Sequence, residues 1–218
     1  MQRWSLELKK QKIYKKVFDI ACRTLLNSNC EAQFINAGVA CEKIQDQYSV
    51  DVPYFDEIIT LKLPEFLFKS SKSANVTLVT KIIILHYINT ANGFSPGVDK
   101  ISYGDIPGLA GYLPVFEQRV ARPLIAAFGF DKYVFLETGV SMGGIKEDYG
   151  DASFTLHALP RIPITFILWE GDAEFTPSLK VLFDPSITGY LPLEDITVIS
   201  KLASTRIIKE ARLRHCGV

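Results

Sequence analysis

Three strand-length apolar runs most constrain what this chain can fold into: Ala152-Ser-Phe-Thr-Leu-His-Ala-Leu159, Ile164-Thr-Phe-Ile-Leu-Trp169 and Leu179-Lys-Val-Leu-Phe183. Each is too short for a stable helix, is rich in residues that suit a pleated surface, and is set off by Pro, Gly or acidic turns. They predict an antiparallel sheet. A long amphipathic helix follows, from about Leu193 to Arg214, with Ile196, Ile199, Leu202, Ala203 and Ile207 on one face. Its basic end, Arg206, Lys209, Arg212 and Arg214, suits the negative pole of a helix.

Helical periodicity dominates the other half. Leu8, Ile13, Val17, Ile20, Ala21 and Leu25 recur at three- and four-residue intervals between Trp4 and Leu26, which predicts an amphipathic helix. The lysines at 9, 10, 12, 15 and 16 form its solvated face. Gln47–Val52 and Glu57–Leu63 alternate as short strands, and Val76–Thr90 is an almost wholly apolar helix closed by Asn92-Gly93. A further helix runs from Leu113 or Pro114 to about Phe128, with Pro123 kinking or restarting it. The expected class is α+β, with an N-terminal helical half packed on a C-terminal, mostly antiparallel sheet and a final long helix. We expect one domain over 1–218, with residues 1–75 supplying a helix and short strands and 76–218 the core.

Composition excludes several functions. The 218 residues carry 24 Lys plus Arg against 24 Asp plus Glu, so no global field draws polyphosphate, and nucleic acid is not an expected partner. The apolar stretch around Lys81–Ile88 is too short to span a bilayer, and membrane association is not expected. Met1–Leu8 leads into lysines rather than a cleavable apolar core, so a soluble, cytoplasmic protein is expected. Cys22, Cys30, Cys41 and Cys216 form no C-x-x-C pair and are expected to be reduced.

Three constellations are candidates for chemistry. Gly139-Val-Ser-Met-Gly143 matches the nucleophile-elbow pattern and follows Tyr133–Glu137, a possible strand; chain order permits Ser141, then Asp172 or Asp184, then His215. The alternative reading is a glycine-rich hairpin loop. In the second constellation Glu170, Asp172 and Glu174 alternate, with Asp184 downstream. In an extended loop these carboxylates can converge on a divalent metal or transfer a proton, as in a carboxylate-based enzyme. The alternative reading makes Asp172 and Asp184 turn residues. The third is a histidine–aromatic set. His86 and His157 are candidate axial ligands, with Tyr87, Phe116, Phe166 and Trp169 against the ring of a planar hydrophobic cofactor such as a haem or corrinoid tetrapyrrole. A lone histidine in an apolar helix is alternatively a hydrogen-bonded core residue.

Several segments occur in a fixed order: Lys81-Ile-Ile-Ile-Leu-His-Tyr, Ile101-Ser-Tyr-Gly-Asp-Ile-Pro-Gly108, Phe116-Glu-Gln-Arg119, Asp151-Ala-Ser-Phe and Ala158-Leu-Pro-Arg-Ile-Pro-Ile164. Leu168-Trp-Glu-Gly-Asp-Ala-Glu-Phe175, Val181-Leu-Phe-Asp184 and Tyr190-Leu-Pro-Leu-Glu-Asp195 complete the series. From about residue 76 onward the chain thereby resembles the uncharacterised family called domain of unknown function 3786, found chiefly in anaerobic bacteria and archaea. Some members carry an added four-cysteine iron–sulfur segment. The resemblance therefore implies a setting in anaerobic redox or corrinoid metabolism. This chain lacks the cysteine run, so an iron–sulfur or corrinoid protein would be a partner, and the domain is alternatively an interaction module for it.

Overall fold

The computed structural model describes the backbone of residues 2–216 and the side chains of residues 11–214. The side chains of Leu8, Lys9, Lys10, His215 and Cys216 lie outside that range. The fold is α+β, and the chain forms two compact units.

Unit one comprises residues 1–53, 57–94 and 189–192. It begins with α1 (Gln2–Leu26) and α2 (Cys30–Ala37), followed by β1 (Ala40–Ile44), β2 (Gln47–Tyr54), β3 (Glu57–Leu63) and β4 (Leu67–Ser70), and then α3 (Leu78–Thr90). The four strands form one sheet in the order β1-β2-β3-β4. Strands therefore occupy the middle of what the sequence predicts as a helical half, and that half is itself mixed α and β. The alternation predicted for β2 and β3 is present: Val50 and Val52 face inward on one, Ile59, Leu61 and Leu63 on the other. β1 is exposed at every position, so it carries no hydrophobic alternation to detect.

Local chemistry sets the helix ends. Asn29 caps α2 by accepting from Ala32 N, and Gly38 ends it with φ 66°, a left-handed conformation that costs glycine little. Thr77 caps α3. The buried face of α1 is rotated from the predicted one. Ala21, Cys22 and Leu25 are buried, whereas Ile13 and Ile20 are 62% and 50% exposed. Asn89 Nδ2 of α3 donates to Ala21 O at 2.9 Å, which fixes α1 on α3.

Unit two comprises residues 54–56, 95–188 and 193–218. After β5 (Ile101–Ser102), the predicted third helix appears in three pieces: α4 (Leu113–Phe116), a π-helical turn over Glu117–Ala121, and α5 (Arg122–Phe128). The interruption falls just before Pro123. Proline has no N–H for the helical ladder, and a widened turn accommodates its ring. Next come α6 (Lys132–Ser141), β6 (Ile145–Glu147), β7 (Ala152–Leu159), β8 (Ile162–Trp169), β9 (Ser178–Phe183) and α7 (Leu193–Cys216). The predicted antiparallel strands and final helix are present. The five-stranded sheet runs β5-β9-β8-β7-β6. Phe154, Leu156, Ala158, Ile164, Phe166 and Leu168 form its inner face, with α6 against β7 and α5 against β9.

The nucleophile-elbow reading fails on geometry. Tyr133–Glu137 is helix, and Ser141 is the last residue of α6 rather than the turn between a strand and a helix. Asp131 caps α6 through Val134 N at 2.9 Å. Phe135, Thr138 and Gly139 are buried at three- and four-residue spacing, so packing on the sheet overrides the local β preference. Gly139 is needed for close approach, because a Cβ there would lie 2.4 Å from the Phe154 ring. Gly139→Ala is expected to cost about 2 kcal/mol through overpacking, and Ser141→Ala less than about 0.5 kcal/mol; urea unfolding of the two variants checks both.

Candidate functional site

The outer face of the second sheet is polar where its inner face is aromatic. Successive side chains of a strand point to opposite faces, so Phe154, Leu156 and Ala158 of β7 point inward while Ser153, Thr155 and His157 point outward. Antiparallel pairing sets Thr155 opposite Thr165 and His157 opposite Pro163, with a register shift between His157 and Leu159. Such bulges re-aim side chains near functional sites. The loop Ser95–Lys100 and the turn Pro160-Arg161 wall this face into an open cleft of about 420 Å³, within the range of small-ligand sites.

The cleft gathers Lys100, Glu147, His157, Arg161 and Asp184. Lys100 Nζ donates to Glu147 Oε1 at 2.8 Å, and Thr155 Oγ1 donates to the same oxygen at 2.5 Å. Thr155 is also bonded to Thr165 at 2.7 Å, so the floor is a continuous polar chain through two buried hydroxyls. The Lys100 ammonium foremost, and then the Thr155 hydroxyl, hold the Glu147 carboxyl below the usual carboxylate range, against the opposing effect of burial. Asp184 is buried. It accepts from Gly97 N at 2.6 Å and Ser186 N at 2.8 Å, thereby fastening the loop that forms one wall. Arg161 Nη1 donates to Ser95 Oγ at 2.9 Å from the other side.

These pairings decide the electrostatics. Lys100 and Glu147 cancel at contact distance, and two backbone amides satisfy Asp184. Arg161, which is bonded to Ser95, and the exposed His157 also line the cleft, as does Asp99.

Of the predicted planar-cofactor set, only His157 lines this cleft. His86 and Tyr87 sit on α3 of unit one, where the Tyr87 hydroxyl donates to Ala37 O and its ring stacks on Tyr190 at 5.8 Å. Phe116 stacks under Tyr103 at 4.0 Å. Phe166 is fully buried in β8 beside Phe154, and Trp169 is partly exposed at the end of that strand. The three buried rings have faces already taken by protein neighbours.

Of the four carboxylates predicted as a metal set, three are engaged by separate partners. Glu170 accepts from Lys132 N at 3.0 Å and pairs with Lys132 Nζ at 3.2 Å. Asp172 turns back onto Glu174 N and Phe175 N, and these amides hold its carboxyl below the usual carboxylate range. Asp184 belongs to the cleft wall. Among the described residues, no group of three or more His, Cys, Asp or Glu is arranged to hold a metal ion. The same residues include no helix long and apolar enough to cross a membrane.

Lys100, Glu147, Thr155, Thr165 and Arg161 were not singled out from the sequence. The readable signal was the alternation Ser153, Thr155, His157 against Phe154, Leu156, Ala158, which marks a sheet with one polar face.

Fold and cleft together define an α+β protein with a ligand-sized polar site on the outer face of its second sheet. The chain belongs to the family described as Domain of unknown function (DUF3786), which matches residues 33–206. No curated protein and no solved structure matches it.

The Lys100–Glu147 pair makes stability depend on pH. A carboxyl whose pKa is lowered on folding stabilises the folded state above its unfolded pKa, and that contribution is lost as pH falls through the folded value. Lys100→Met is expected to cost about 1–2 kcal/mol at neutral pH. The penalty should shrink as pH falls through the Glu147 midpoint, and carboxyl-detected NMR should show that midpoint rising in the variant.

Proposed function

We propose that this protein binds a small ligand bearing a carboxylate or phosphate group, seated in the cleft on the outer face of the second sheet. The carrying observation is the convergence of the Arg161 guanidinium and the His157 imidazole on one polar cleft, beside the bonded hydroxyls of Thr155 and Thr165. The fork of a guanidinium matches an oxyanion in two parallel hydrogen bonds. The Glu147–Thr155–Thr165 chain offers fixed polar partners for the body of the ligand.

A haem or corrinoid is the second reading, and one observation favours it. The His157 imidazole stands exposed at the cleft, where either ring nitrogen is a metal ligand. In that reading the propionates of a haem, or the phosphate of a cobalamin, would meet Arg161, and the anaerobic setting implied by the family likeness would supply the cofactor or an iron–sulfur partner.

Titration of the full chain distinguishes the two. Calorimetry with succinate, glutamate and inorganic phosphate is expected to give saturable binding to at least one, weakened about tenfold or more by Arg161→Ala, since one lost charge-assisted bond is worth about 1.5–3 kcal/mol. A saturable shift of visible absorption with haemin or cobalamin, abolished by His157→Ala, favours the second reading instead. Absence of binding to all five compounds contradicts both.

A further inference from the structure

Unit two contains a second cavity whose chemistry is opposite to that of the cleft. It has a volume of about 550 Å³ and lies between the Tyr103–Arg119 segment and the first turns of α7. Leu109, Tyr112, Val115, Leu193 and Val198 supply its apolar walls. Tyr112 is 62% exposed, and Val115 and Leu193 each 36%, so part of this apolar surface faces solvent until something covers it. The floor is Tyr103, stacked on Phe116 at 4.0 Å with 19° between the ring planes. Its hydroxyl is bonded to Thr197 Oγ1 at 2.6 Å. The two polar atoms of the floor therefore satisfy one another, and a site with few unmet polar partners holds water weakly.

Two charged residues line this cavity, Arg119 and Glu194. Glu194 lies in the first turn of α7, where the helix N-terminus offsets its negative charge. Arg119 is exposed in the middle of the π-helical turn, and among the described residues it makes no ion pair. A lone uncompensated cation beside an apolar cavity defines a ligand with an apolar body and one anionic group.

We propose that this cavity is a second binding site, which takes an amphipathic small molecule with an aromatic or aliphatic body inside and a single anionic head at Arg119. The proposal does not depend on the reading of the polar cleft.

The test uses the full chain and two fluorescent probes of nearly the same shape. These are 1-anilinonaphthalene-8-sulfonate, which carries the anion, and neutral N-phenyl-1-naphthylamine. One saturable site is expected for each. Arg119→Gln should weaken the sulfonate at least fivefold and leave the neutral probe within twofold, a split that general loosening of the fold does not produce. Val115→Trp, at a partly exposed wall position, and independently Val198→Phe, should fill the cavity and weaken both probes at least tenfold while a cooperative unfolding transition is retained. Unsaturable binding, binding unchanged in both filling variants, or equal sensitivity of the two probes to Arg119→Gln would overturn the proposal.

Discussion

The pairing of β7 with β8 is the constraint on which the rest of unit two depends. Its register sets Phe154 against Phe166 on the inner face and Thr155 against Thr165 on the outer one. A slip of one residue would exchange the faces, burying hydroxyls among the aromatic rings and exposing the rings to water. The aromatic contacts hold that register. Phe154 packs on Phe166 at 5.6 Å and on Phe135 of α6 at 4.8 Å, and Gly139 permits the approach. The same register delivers the cleft: β6 pairs with β7 so that Glu147 lies opposite Ser153, one diagonal step from the Thr155 hydroxyl that bonds it.

Much of this was legible because burial follows periodicity. The strands at 47–52 and 57–63 and the final helix carry an apolar pattern of the period they adopt, whereas the strands at 152–159, 164–169 and 179–183 and the helix ending at Thr90 are marked by the length of their apolar runs and by the turns that flank them. The misses have physical causes. In α6 the β-prone run Tyr133-Val-Phe-Leu was turned into helix by an Asp131 cap and by packing against Phe154. On α1 the buried stripe is rotated past Ile13 and Ile20, because α3 meets the helix at Ala21. β1 and β6 are short and largely exposed, and carry no hydrophobic pattern.

The site was less legible than the fold. His157 and Asp184 stood out as residue types with chemistry, and both line the cleft. The residues that complete it come from three distant segments: Lys100 before β5, Glu147 on β6 and Arg161 in the β7–β8 turn meet at one cleft although β5 and β6 are the two edges of the sheet, and no periodicity records that meeting. The acidic constellation illustrates the converse. Alternating carboxylates converge only if their loop is extended, and Asp172 prevents that by accepting from the amides of Glu174 and Phe175. Within one unit a single sheet and the helices beside it thus carry a polar cleft and, separately, an apolar cavity lined by Arg119, which makes no ion pair among the described residues.

The central claim, that the sheet-face cleft binds a small anion, is tested most directly by backbone amide NMR of the full chain during addition of succinate or inorganic phosphate. The account predicts saturable shifts confined to the cleft, at Gly97, Lys100, His157 and Arg161, for at least one of the two. Shifts absent for both, or centred away from the Ser95–Lys100 loop and the β7–β8 turn, would contradict it.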